Sequence, residues 1–238
     1  MRPQLTIPRS PFRAPNGMSD QFAVLGDVHG EGVRLSRALA DLRDLELKIV
    51  LVGDYVNRGP DSRGVVQQLL KAKRELGDSL ILLRGNHDQA LIDYLEGGIL
   101  SDFVAHGGFE TMRSYLFNEI TDGAVRTFRA RFPRSHLELL RSTIDFYEDN
   151  DIFVSHSGFN PSRPRSRLPE DLRGGYHTGL FDHTGPWPRP TVVCGHFVQH
   201  SGKPFMSESL VCVDTGCGTL ADHPLTAVLL PSRQIKTY

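Results

Sequence analysis

Short apolar runs recur along the chain, and several end on a glycine followed by an acidic, amide or imidazole residue. Segments 22–25, 49–52 and 80–83 read as buried strands, and the residues between them return to apolar character with helical spacing, in Val33, Leu35, Leu39 and Leu42 and again in Val65, Val66, Leu69 and Leu70. This alternation predicts βαβ units with neighbouring parallel strands. From about 89 to 146 strand patterning stops, and several helices are expected, broken at Gly97-Gly98, Gly107-Gly108, Gly123 and Pro133, as a helical insertion. Arg126, Arg129, Arg131, Arg134 and Arg141 fall within it and read as a solvated helix face.

Segments 152–155, 191–194, 210–213, 226–230 and 234–237 read as further short strands, and their close spacing predicts an antiparallel second half. Between the first two, residues 160–190 hold six prolines with clustered Arg and Gly, which predicts a long surface loop of the kind that carries function or mobility. The first twenty residues contain Pro3, Pro8, Pro11 and Pro15, three arginines and little apolar content. They read as a disordered extension, with 21–238 as one domain.

Chemistry concentrates where the strands end. Gly26-Asp27-Val28-His29-Gly30, Gly53-Asp54-Tyr55-Val56-Asn57-Arg58-Gly59 and Gly85-Asn86-His87-Asp88 each follow a predicted strand, so their ligands emerge at one edge of a sheet, where open α/β folds bind ligands. Two divalent metals need a bridging carboxylate, flanking oxygen and nitrogen donors and an open position for water. Asp27, Asp54 and Asn86 supply the first part. His156 and His196, each at a later strand end beside a glycine, are the remaining candidates.

Composition narrows the partners. A net charge of -1 and pI near 6.8 give no bulk electrostatic reason for nucleic-acid or membrane-surface binding. No apolar run approaches the roughly 20 residues that cross a bilayer, and three cysteines make no disulfide framework. A soluble cytoplasmic protein with structural cysteines is expected.

The order GDVHG, GDYVNRG, RGNHD, SHSG, CGH resembles the phosphoprotein phosphatase family of metallophosphoesterases, which includes bacterial and phage Ser/Thr phosphatases and symmetrical dinucleoside tetraphosphate hydrolases. The resemblance runs from Phe22 to about Val228. It implies an α/β fold, a four-layer αββα sandwich of two mixed sheets. It also implies two divalent ions, manganese when assayed and iron or zinc as alternatives, with Asp27 and His29 on the first, Asp54 bridging, and Asn86, His156 and His196 on the second. Activated water between the ions would attack phosphorus in line. Arg58 and Arg84 would fork onto phosphate oxygens, and His87 would protonate the leaving oxygen.

Two departures bear on the substrate. Where protein phosphatases carry an aspartate that keeps the histidine protonated, this chain has Asn57, which can orient His87 but supplies no charge. The further phosphate-binding arginine has no clear equivalent, and Arg163, Arg165, Arg167 and Arg173 stand unranked. His106 reads as a loop residue, and Asp214-Thr215-Gly216-Cys217 as a closing segment. The resulting expectation is a metal-dependent phosphatase, with phosphoserine or phosphothreonine protein as first substrate and dinucleoside polyphosphate as second. A non-catalytic phosphate-binding module ranks third.

Overall fold

The structure, a computed structural model, describes residues 21–117, 119, 123–177 and 179–238; the extension expected over 1–20 lies outside the described residues. Strands β1 (Phe22–Leu25), β2 (Lys48–Leu51) and β3 (Leu80–Leu82) are parallel, with Val24 beside Val50 and Val50 beside Ile81. In the second half, β4 (Phe146–Glu148), β5 (Ile152–Ser155), β6 (Thr191–Cys194), β7 (Phe205–Met206) and β8 (Leu210–Cys212) form another sheet in the order β4-β5-β6-β8-β7. The chain then returns to the first sheet as β9 (Thr226–Leu230) and β10 (Ile235–Thr237), completing the order β10-β9-β1-β2-β3. Both sheets are mixed and five-stranded.

Side chains of period two divide these strands among three cores. Val24, Val50, Val52 and Val228 from the first sheet meet Val154, Val193, Val211 and Val213 from the second, forming the layer between the sheets. Ala23, Leu25, Ile49, Leu51, Ala227 and Leu229 face the other way, onto helices α1 (Gly32–Leu42) and α2 (Ser62–Leu76) through Leu35, Leu39, Val65 and Leu69. Phe153, Val192, Cys194, Leu210 and Cys212 face the outside of the second sheet. Strands buried on both faces read as continuous apolar runs, and that is why these segments were visible in the sequence.

Helices α3 (Asn86–Leu95), α4 (Leu100–Ala105), α5 (Gly108–Tyr115), α6 (Ala124–Arg131) and α7 (Arg134–Ser142) follow β3 and extend the helical layer. Their centre is aromatic: Tyr94 stacks on Phe103 at 4.9 Å, Phe128 lies 6.1 Å from both, and the Arg129 guanidinium sits 4.1 Å from the Tyr94 ring. The second sheet is covered differently. Its outer layer is the loop between β5 and β6, whose Phe159, Leu172 and Leu180 are fully buried and which holds only the short helix α8 (Pro169–Arg173) among the described residues.

The antiparallel second half expected from strand spacing is corrected in part. β9 and β10 are antiparallel to their neighbours, but β5, β6 and β8 run parallel, and within their sheet only the edges β4 and β7 are antiparallel. Parallel strands need long crossovers, and the Pro-rich 160–190 segment supplies one. Strands β4 and β7, three and two residues long, had no legible pattern of their own. Val33 is 67% exposed, because the buried face of α1 follows Leu35, Ala38, Leu39 and Leu42 instead. No helix among the described residues is long and apolar enough to cross a membrane.

Truncating Phe103, fully buried between Tyr94 and Phe128, should cost about 3–5 kcal/mol through cavity formation. Urea unfolding of Phe103→Ala checks this, and a loss under about 1 kcal/mol would mean that the aromatic layer repacks freely.

Candidate metal centre

The carboxyl ends of β1, β2, β3, β5 and β6 converge, and the residues that follow them form one buried cluster. Asp54 is its centre. Its Oδ2 lies 3.2 Å from His156 Nε2, 3.6 Å from His29 Nε2 and 3.8 Å from His87 Nε2. Two compact donor groups share it: His29, Asp54 and His87 on one side, Asp54, His156 and His196 on the other. Asn86 Oδ1 joins the second at 3.1 Å from His156 Nε2 and 3.0 Å from His196 Nδ1. Asp27 stands beside the first, its Oδ2 3.9 Å from His29 Nε2, and its carboxylate accepts the backbone N–H of His196 at 3.2 Å.

Local backbone geometry makes this approach feasible. His29, Asp54, Asn57, Arg58 and His196 all have positive φ, between 41° and 72°, five of the nine such non-glycine residues among those described. Asp, Asn and His tolerate this region better than most, and such conformations gather where function constrains the chain. Gly85 and Gly195 are required for a different reason: a Cβ on Gly85 would collide with Asp54 Oδ1, and one on Gly195 with Asp27 Oδ1.

The imidazoles are oriented from behind. Nδ1–H of His29 donates to the Val56 carbonyl and Nδ1–H of His156 to the Val52 carbonyl, each at 3.0 Å. A carbonyl can only accept, so both rings turn Nε2 toward the cluster, the arrangement that outer partners give metal-binding histidines. Asp88, quoted in the sequence motif without a role, is the residue whose importance went unread. Its buried carboxylate accepts the N–H groups of Asp54 (2.8 Å), Tyr55 (2.9 Å) and Gly85 (3.1 Å), tying the loop after β2 to the loop after β3. The signal available was its place three residues after Gly85 in a helix first turn.

Electrostatics show what the cluster lacks by itself. Burial, with Asp214 and Asp54 nearby, raises the Asp27 carboxyl well above the usual carboxylate range. Burial acts the same way on Asp54, yet the imidazoles of His156 and His87 outweigh it and hold that group well below the usual range. Burial lowers His29 and His196 to about 3, whereas His156 rises to about 10 because Asp54 and Asp27 outweigh its burial. Asp214 is 1% exposed and its Oδ2 is one of two buried side-chain polar atoms without a hydrogen-bond partner among the described residues. Clustered carboxylates, the neutral imidazoles of His29 and His196, and an orphaned carboxylate oxygen form a donor set that fits divalent cations.

Not every predicted residue joins the cluster. Arg58 does: Nη1 lies 3.0 Å from His29 Nε2 and donates to Thr219 Oγ1 at 2.6 Å, and Nη2 lies 3.0 Å from His87 Nε2. Arg84 is corrected. Its Nε donates to Thr143 Oγ1 (2.9 Å), Nη1 to Gln89 Oε1 (3.1 Å) and Nη2 to the carbonyls of Arg141 (2.6 Å) and Thr143 (2.9 Å). That guanidinium therefore closes the carboxyl end of α7 and engages no residue of the cluster. Asn57 and His87 meet at 3.2 Å, amide to Nδ1. Among the four unranked arginines, Arg173 lines an 850 Å³ cavity that opens beside Asn86 and includes Asp93, Asp102, His106 and Glu170. Arg163, Arg165 and Arg167 line another.

A family model of calcineurin-like phosphoesterases matches residues 21–200, and the chain belongs to that family. It is 35% identical over 141 residues to the symmetrical bis(5'-nucleosyl)-tetraphosphatase of Nitrosospira multiformis, a match covering 58% of this chain and 43% of that protein. It is 27% identical to the asymmetrical bis(5'-nucleosyl)-tetraphosphatase PrpE of Oceanobacillus iheyensis, over 89% of each chain. A Saccharomyces cerevisiae protein serine/threonine phosphatase shares the fold, with TM-score 0.57 and 16% identity over 94% of this chain and 81% of that one.

Replacing Asp88 with Ala leaves three buried N–H groups without their acceptor, and a loss of about 3 kcal/mol or more is expected in chemical denaturation. Asp54→Asn should weaken manganese binding, measured by calorimetry, by at least about tenfold, since the shared carboxylate loses its charge.

Proposed function

We propose that this chain hydrolyses dinucleoside tetraphosphates at a two-metal centre. The observation that carries the reading is the state of His87. Among the described residues no carboxylate reaches its Nδ1, whose partner is the neutral Asn57 amide. Burial lowers its pKa to about 4, since Asp54 at 3.8 Å raises it too little to offset the burial and Arg58 lowers it as well. Below that value the ring is charged and above it neutral, so near neutral pH little imidazolium exists to protonate a leaving oxygen. A serine or threonine alkoxide needs that proton. A nucleoside polyphosphate leaves without it. The tetraphosphatase names of the two curated relatives support the same choice.

In this reading Asp27, His29, Asp54, Asn86, His156 and His196 hold two divalent cations, manganese on the mixed oxygen and imidazole donor set, with iron or zinc as alternatives. Bound there, the cations supply Lewis acidity toward the phosphate oxygens and an acidified water as nucleophile. The protein's own contribution is orientation. Arg58, tethered to Thr219 and poised over His29 and His87, presents a planar fork to phosphate oxygens. Arg173, in the cavity that opens beside Asn86, is held by Asp145 and by Gln89 at 2.5 Å and would offer the leaving group its remaining donors.

The phosphoprotein substrate expected first from the sequence is kept as a second reading, because one observation favours it. Asp93, Asp102 and Glu170 make the cavity beside Asn86 predominantly acidic, which suits basic residues flanking a phosphorylated side chain.

Measured side by side on the manganese-loaded protein, kcat/KM for diadenosine tetraphosphate should exceed that for a phosphothreonine peptide at least about a hundredfold, roughly 2.7 kcal/mol of transition-state preference. Equal or reversed rates would restore the phosphoprotein reading, and metal binding without turnover of either would leave a non-catalytic phosphate-binding module. Two molecules of ADP are the expected products, on the higher identity to the symmetrical enzyme, whereas ATP with AMP would move the cut to the asymmetrical position. His87→Ala should lower the nucleotide rate by less than about tenfold, since general-acid help is worth far more only when the leaving group needs it.

A further inference from the structure

The 160–190 crossover does more than cover the second sheet. It encloses a cavity of about 920 Å³ lined by Arg163, Arg165, Arg167, Arg189, Trp187 and Glu148, none of which belongs to the metal cluster or to the cavity beside Asn86. Its size suits a small-molecule ligand. Charge in it is unbalanced. Glu148 lies between Arg167 (3.0 Å) and Arg189 (2.7 Å), and Asp171 pairs with Arg163 (3.0 Å), so four guanidiniums face two carboxylates. Arg165 is exposed and makes no hydrogen bond or ion pair among the described residues.

Two of these cations, Arg167 and Arg189, are held in place by the protein itself. Arg167 also donates to the Ser166 carbonyl at 2.9 Å and lies 4.5 Å over the Phe153 ring, and Arg189 donates to the Asp149 and Pro188 carbonyls. Pro164, Pro186 and Pro188 fix φ in the same walls. Trp187 is anchored edge-on to the buried Phe159 at 5.4 Å and to His183 at 5.1 Å, yet is only partly buried. A site assembled in advance loses little freedom on binding.

We propose that this cavity is a second, non-catalytic site for a nucleoside polyphosphate, with phosphates on Arg163 and Arg165 and the base against Trp187. Guanidinium forks match phosphate oxygens, and an indole offers a stacking surface to any base. The flat net charge of -1 argues against an extended nucleic acid, which would need a longer basic track. The proposal goes beyond the reading of the metal centre and does not depend on it.

Trp187 is the only tryptophan in the sequence, so its emission reports this cavity directly. Full-length protein, with EDTA present to prevent turnover, is titrated with ATP and separately with inorganic phosphate. A saturable change with ATP is expected, at a midpoint at least about tenfold lower than with phosphate and shifted at least about tenfold upward in Arg165→Ala. The same midpoint should persist in Arg58→Ala, whose change lies in the other site. Because Arg165 is exposed, its removal leaves the core untouched. No saturable change, a midpoint indifferent to Arg165→Ala, or phosphate binding as tightly as ATP would each overturn the nucleotide assignment.

Discussion

Like charge forced together in a buried place is the condition on which this molecule is organised. Asp27, Asp54, Asp88 and Asp214 are all nearly inaccessible to water, and in a low dielectric their repulsion is too large to leave unanswered. Each is answered differently. Asp88 takes three backbone N–H groups, which partly oppose the burial that raises its carboxyl to about 7. Asp54 collects the imidazoles of His156, His29 and His87 within 3.2 to 3.8 Å. Asp27 is left raised, and one oxygen of Asp214 has no partner. What remains unanswered is carboxylate repulsion at the point where divalent cations fit.

Everything around that point serves to bring the groups together and keep them there. The two sheets lie face to face through a layer of valines, which sets the ends of β1, β2 and β3 opposite those of β5 and β6. The first turn of α3 adds its own contribution, since the His87 N–H reaches Asp54 Oδ1 at 2.9 Å from a helix amino terminus, where a carboxylate is favoured. Tyr55 hydroxyl to Leu83 carbonyl, at 2.7 Å, locks the same two loops on the core side. Positive-φ residues at the cluster are sustained by this surrounding rigidity.

Asn57 shows how one atom can redirect such a site. With an amide at 3.2 Å from Nδ1, a guanidinium at 3.0 Å from Nε2 and its ring buried, His87 is held largely neutral although Asp54 lies 3.8 Å away. The cavity beside Asn86 lies between the helical insertion and the crossover loop, whereas the crossover loop and Glu148 line the arginine-rich cavity; the first is mostly acidic and the second basic.

The strands, the donor residues and the order of the motifs were legible because burial on both faces writes apolar runs and because ligand residues must follow those runs directly. The split substrate expectation was legible too, chiefly in Asn57. Chain direction in the second sheet was not: the crossover between β5 and β6 has no helical pattern to announce it, and its packing rests on scattered aromatics such as Phe159 and Trp187. Nor could local sequence separate Arg58 from Arg84, which stand beside equivalent motifs; only the folded chain puts Thr143 and the α7 carbonyls against one and His29 and His87 against the other. By itself the sequence determined which groups exist and which strand end carries each, since both depend on neighbours in the chain. Which groups meet, which way each guanidinium turns and where charge is left unbalanced were decided by tertiary packing, because those depend on contacts between residues dozens of positions apart.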